Sequence, residues 1–182
     1  YAGNFGEMQQ LDGLIDAGAL LAGDPRIGIL LVGAGVQESR LRARVADESL
    51  TNIGFLGQQP FSRMSEVLAL GDVQVVSLKD VPLYRVTIPS KLQANMAAAR
   101  PVLGAIAGDG AAAIIASSGG LAVPPGDPRR LADAMTELTD LGPAGRGELG
   151  RNAREFYLAT YSQQAVSRRL ADLLVAARSH RG

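Results

Sequence analysis

Residues 79–103 read Lys79-Asp-Val-Pro82-Leu-Tyr-Arg85-Val-Thr-Ile-Pro89-Ser90-Lys91-Leu-Gln-Ala-Asn-Met-Ala-Ala-Ala-Arg100-Pro101-Val-Leu103. They follow an apolar run, Val73 to Leu78, that predicts a buried strand. The stretch crosses a loop with two prolines, enters a short alanine-rich helix near Ser90, and leaves at Arg100-Pro101 into another apolar run, Pro101 to Ile106. A helix opening just beyond the C-terminal end of a strand presents free amides and a positive dipole end, which suit a phosphate. Ser90 and Lys91 are therefore the first candidates for an anion site.

The same alternation extends in both directions. Tyr1 to Gly6 reads as the end of a strand entering a glycine turn. Gly3 and Gly6 either form a plain strand-to-helix turn or leave amides pointing at an anion. A helix with Met8, Leu11, Leu14, Ile15 and Leu21 follows and stops at Gly23-Asp24-Pro25. Ile27 to Val32 is a strand, and Gly33-Ala34-Gly35 turns it into a helix carrying Leu41 and Val45. Glu38 stands where a dinucleotide fingerprint needs its third glycine, which favours an ordinary close turn. Asn52 to Leu56 is a strand. Pro60 to Leu70 is a helix with Ser62 as candidate N-cap.

Beyond the central stretch, Gly108 to Ser117 predicts a helix burying Ile114 and Ile115, and Gly119 to Val123 a short strand. Asp127 is placed to cap a helix that has Pro128 at its first position and Leu131, Ala134, Met135 and Leu138 on one face. A further helix covers Arg146 to Leu158. The last, about Ser162 to Ala177, carries a stripe of Val166, Leu170, Leu173, Leu174 and Ala177. The tail from Arg178 to Gly182 reads as frayed. Strands alternating with helices predict an α/β fold: a doubly wound, parallel, Rossmann-like sheet.

Composition narrows the chemistry. The chain has 182 residues, enough for one domain, with 22 glycines for tight turns. Net charge is zero, so no global field draws nucleic acid, and none is expected as a partner. There is no cysteine, and the one histidine, His180, lies in the tail, so a zinc site and a histidine-served nucleophile are not expected. No Walker sequence occurs. Of eighteen basic residues only two are lysines, Lys79 and Lys91, both in the central stretch. They are either accidents of arginine-rich composition or marks of a site.

What remains is anion chemistry. In a doubly wound sheet the strand order should reverse between the first strand and Val73–Leu78, and ligands bind beyond the carboxyl ends at such a switch. That sets the Gly3–Gly6 turn opposite the 79–91 loop. Amides at Asn4 to Gly6, amides at Ser90 to Leu92, and the Lys91 ammonium would converge on a diphosphate.

Five blocks in order then carry a resemblance: Tyr-Ala-Gly-Asn-Phe-Gly, Leu-Leu-Val-Gly-Ala-Gly, Asn-Ile-Gly-Phe-Leu-Gly, Ile-Pro-Ser-Lys-Leu-Gln with Ala-Ala-Ala-Arg-Pro-Val-Leu, and Gly-Leu-Ala-Val-Pro-Pro-Gly-Asp. Along essentially the whole chain the sequence resembles the C-terminal, donor-binding half of group 1 (family 4) glycosyltransferases, in particular the bacterial surface-polysaccharide subgroup. The resemblance implies the glycosyltransferase B-type architecture, with residues 1–160 as the donor domain. It implies a final helix, 161–182, packing back toward an N-terminal acceptor domain outside this chain. It further implies retaining hexosyl transfer from a UDP- or GDP-linked sugar, without cofactor or essential metal, and an inactive isolated half. Carried over by position, Gly3, Asn4, Phe5 and Gly6 face the donor phosphates, Ser90, Lys91 and Leu92 meet phosphate and ribose, and Phe55 and Leu56 flank the base. Lys91 is the catalytic candidate, with Lys79 and Arg85 as extra charge.

This sequence also departs from the family pattern. An arginine and a lysine common in the first turn fall here on Asn4 and Gln9, and a common glutamate pair falls on Val86 and Ala94. Two rival readings follow: a sugar-nucleotide epimerase of the same architecture, or a non-catalytic nucleotide-binding domain. The expected location is cytoplasmic. Arg168, Arg169, Arg178 and Arg181 are either a solvated helix end or a contact with the inner membrane face, where a lipid-linked acceptor would lie.

Overall fold

The computed structural model describes residues 1–179. The short apolar runs all become parallel strands. β1 (Ile29–Val32) pairs with β2 (Ile53–Gly57), with a register shift between Leu31 and Val32. β3 (Gln74–Ser77), β4 (Val102–Ala105) and β5 (Gly120–Val123) form a second ladder in the order β3-β4-β5, aligning Val76, Gly104 and Ala122.

Tyr1 to Gly3 runs parallel to β1 on its free side. The Tyr1 amino group donates to the Leu30 carbonyl at 2.9 Å, the Val32 amide to Tyr1 at 2.8 Å, and the Gly3 amide to Val32 at 2.8 Å. This segment does not pair with β3, so the predicted single sheet is two ladders. A cavity of about 240 Å³ is lined by residues of both, among them Tyr1, Leu30, Val73, Val75 and Leu138.

Helices cover both faces. α1 (Leu11–Leu20), α2 (Glu38–Asp47) and α7 (Pro128–Asp140) close one core around Phe5, Leu14, Ile15, Leu31, Leu41, Leu103 and Leu138. α5 (Ser90–Ala97), α6 (Asp109–Ser117) and α8 (Gly142–Thr160) close the other around Val76, Leu92, Met96, Val102, Ile114 and Ala153. Each fully buried Val, Leu, Ile, Phe or Met side chain among these contributes about 1.5–3 kcal/mol relative to exposure. This two-sided covering is the doubly wound α/β arrangement expected from the alternation.

Several local expectations are corrected. The first helix is interrupted: Met8 lies in a 3-10 turn (Glu7–Gln9), Gln10 adopts a left-handed conformation (φ 48°), and α1 starts after it. Ser62 caps nothing. Pro60 holds the cap position of a 3-10 turn (Phe61–Arg63) that runs into α3 (Met64–Leu70). The 79–91 loop contains a short helix, α4 (Pro82–Arg85), with proline at its first position. Ile114 is buried but Ile115 is 67% exposed, because successive helical side chains point about 100° apart. α8 begins at Gly142 rather than Arg146. Asp127 does cap α7, accepting the Arg130 amide at 2.9 Å.

α9 (Gln163–Ser179) follows α8. Its stripe is not covered: Leu170, Leu173 and Leu174 are exposed. Arg168 and Arg169 are also exposed. His180, Arg181 and Gly182 lie outside the described residues, as does the side chain of Arg178. Among the described residues no helix is long and apolar enough to cross a membrane.

Candidate functional site

Chain reversals at the carboxyl ends of β1 and β3 bring the two halves of the expected site together. The Lys79 amide, just past β3, donates to the Met8 carbonyl at 2.8 Å and ties the central loop to the first turn. From the start of α5, Lys91 reaches into the same turn. Its Nζ lies 3.4 Å from the centroid of the Tyr1 ring. Gly3 (φ 150°) leaves the room it occupies, since a Cβ there would overlap Lys91 Nζ and Cε. The first turn and the start of α5 thus lie side by side, although the first segment and β3 are not hydrogen-bonded neighbours.

Which amides remain open differs from expectation. Within the turn the Gly3 amide is bonded to Val32 and the Phe5 amide to Ala34, both at 2.8 Å. The Gly6 amide donates to the side-chain oxygen of Gln9 at 3.1 Å. The Asn4 amide has no partner among the described residues. The Phe5 side chain is fully buried in the core. On α5, Leu92 is also fully buried and its amide donates to Pro89 at 2.9 Å, so it offers a phosphate nothing. The amides of Ser90 and Lys91 precede the first intrahelical bond and stay open.

Charge is arranged simply. No carboxylate among the described residues pairs with Lys91, and burial pushes its ammonium down to about 7. Lys79 is exposed and borders a cavity of about 320 Å³ with Gly6, Gln10, Gln37 and Arg40. Arg40 is held by both oxygens of Asp12, at 2.7 and 2.6 Å. Arg85 is likewise held by Asp80, at 2.6 and 2.7 Å, so its charge is already matched.

A row of rings links the Lys91 seat to Phe55. Tyr1 and Phe5 have centroids 6.2 Å apart, and Phe5 and Phe55 6.3 Å, edge to face. Arg42 lies over Phe55 at 4.5 Å, as Lys91 lies over Tyr1. Leu56 is 45% exposed beside Phe55, and its carbonyl accepts the Gln59 side-chain amide at 3.2 Å. Val86 and Ala94 are both exposed near the start of α5. Tyr1 and Arg42 had no sequence signal. Each acts through a partner distant in the chain, and nothing in its neighbours marks it.

Among the described residues no three histidine, cysteine or carboxylate groups converge as metal ligands. The arrangement is a parallel α/β domain in which strand ends and a helix start bring together one lysine and the open amides of Asn4, Ser90 and Lys91. The chain belongs to the family described as glycosyl transferases group 1, whose profile matches residues 1–140. It is 26% identical over 164 residues to the probable glycosyltransferase WbjE of Pseudomonas aeruginosa, covering 88% of this chain and 40% of that protein. It is 30% identical over 161 residues to a GDP-mannose-dependent monoacylated alpha-(1-6)-phosphatidylinositol monomannoside mannosyltransferase of Corynebacterium glutamicum, covering 85% of this chain and 40% of that protein. The chain thus spans about 40% of the length of these relatives. Among solved structures, HepE of Anabaena in complex with UDP superposes with a TM-score of 0.80 at 18% identity, covering 96% of this chain and 47% of that one. That likeness establishes the fold as the one found in a glycosyltransferase B-type chain.

Proposed function

We propose that this chain is the donor-binding half of a retaining glycosyltransferase and that it grips the diphosphate of a UDP- or GDP-linked sugar. The observation that carries this is the Lys91 ammonium, held without a carboxylate partner between the first turn and the open amides of α5. A cation at the positive end of a helix is unfavourable by about 0.3–1 kcal/mol unless something compensates, and a diphosphate compensates both. As the sugar leaves, charge builds on that phosphate, and Lys91 with the amides of Ser90 and Lys91 stabilises it in place. Lys79 adds charge at the rim. Phe55 and Leu56 lie beside the base.

The acceptor, the rest of the active site and hexosyl transfer itself belong to the remainder of the longer protein. The exposed stripe of α9 packs against that remainder, and polysaccharide or glycoconjugate assembly at the cytoplasmic face of a membrane is the setting. The names of the relatives support this reading: one is a mannosyltransferase dependent on GDP-mannose, the other a probable glycosyltransferase. No cofactor or metal is assigned to the step.

Titration calorimetry of the 182-residue chain with UDP, GDP and their nucleosides tests the donor reading. One nucleoside diphosphate is expected to bind, and Lys91→Met to weaken it at least tenfold while changing the matching nucleoside less than twofold. Equal losses for both would remove the phosphate role.

A further inference from the structure

The side chain of Tyr1 touches both halves of the proposed phosphate cradle. Its ring face carries the Lys91 ammonium at 3.4 Å from the centroid. Its hydroxyl donates to the Asn4 carbonyl at 2.7 Å. Tyr1 is 7% exposed, and its ring is tilted against Phe5. Asn4 carries the one turn amide that stays open, and Lys91 is the one cation seated in the turn.

We propose that Tyr1 is a positioning residue for the diphosphate: one rigid side chain sets the lysine and the turn in register with each other. The proposal rests on the donor-phosphate reading of Lys91. Its physical basis is twofold. A cation over the face of an aromatic ring is attracted by the ring's quadrupole, more strongly when water is excluded. A lysine with four rotatable bonds otherwise loses much conformational freedom on holding one geometry, and the ring removes that freedom before the ligand arrives.

With only two lysines in the chain, Lys79 and Lys91 give two side-chain signals in a carbon–proton spectrum. In the unaltered chain the Lys91 ε-methylene protons should be shifted upfield of those of exposed Lys79 by the Tyr1 ring. Coincident signals would overturn the proposal without any variant. Tyr1→Leu should abolish the shift, lower the Lys91 titration midpoint and weaken the nucleoside diphosphate about tenfold, within the range of a desolvated cation–π contact, leaving the nucleoside within twofold. Tyr1→Phe keeps the ring and should retain the shift, losing about threefold through the freed turn. If Tyr1→Leu does not fold, the unaltered spectrum and Tyr1→Phe still decide. Unchanged diphosphate binding in a folded Tyr1→Leu, beside a tenfold loss in Lys91→Met, would reject the positioning role alone. No selective loss in Lys91→Met would reject the donor reading and this proposal with it.

Discussion

The side-chain oxygen of Gln9 accepts the Gly6 amide at 3.1 Å and faces the Asn4 side-chain amide at 3.4 Å. A neutral acceptor therefore stands where the first turn would offer its donors to a phosphate oxygen. Replacing it with a cation both frees the Gly6 amide and adds charge. Gln9→Lys should tighten nucleoside diphosphate binding about three- to tenfold, the gain of one added charge-assisted contact. Calorimetry checks this, with the nucleoside as control. Weaker binding would mean that the turn does not face the diphosphate.

Lys91 gives the protein a signed pH dependence. Its folded-state value, about 7, lies below its ordinary 10.5 because of burial. Between those values the unfolded chain holds the extra proton, so stability rises with pH across that window, and the destabilising share is complete below pH 7. Burial raises the facing Tyr1 phenol, which acts oppositely above pH 10. The urea midpoint should climb from pH 6 to 9.5, and Lys91→Met should flatten the climb above pH 7.

Ligand binding should show the same linkage from the other side. A diphosphate beside Lys91 favours the ammonium, so binding at pH 8 should take up close to one proton. Affinity should fall as pH rises from 7 to 9. Calorimetry in buffers of different ionisation heat measures the uptake, and Lys91→Met should abolish it.

Gly33 and Gly13 should respond oppositely to alanine. Gly33 (φ 141°) ends β1 against the first turn, and a Cβ there would overlap the Gly3 carbonyl oxygen. Gly33→Ala should cost about 2–4 kcal/mol, combining overpacking with backbone strain. Gly13 lies in α1 with nothing within 4 Å of an added Cβ. Gly13→Ala should therefore stabilise by about 0.5–1 kcal/mol. Urea unfolding reads both.

Removing residues 163–182 should leave the two cores intact, since Leu170, Leu173 and Leu174 are 56%, 61% and 64% exposed. The melting temperature should move by no more than a few degrees, read by circular dichroism. A large drop would show that α9 contributes to one of the cores.

Elements whose cause lies within a few neighbouring residues could be read directly. The apolar runs at Val73–Leu78 and Pro101–Ile106, the Asp127-Pro128 helix start and the helix at Ser90 are of this kind, and so the α/β class and the place of Lys91 at a helix start followed. The block order carried the family, because five short motifs in sequence survive where each alone says little. The state of each donor could not be read this way. Gly3, Phe5 and Leu92 lose their amides to Val32, Ala34 and Pro89, and Arg85 loses its charge to Asp80, through pairings set by folding. Ile115 and the α9 stripe show the same limit: periodicity tells which residues share a face, not whether anything covers it. The seat of Lys91 on Tyr1 joins residues ninety positions apart, and its strength comes from excluded water, a property that exists only once both cores have closed.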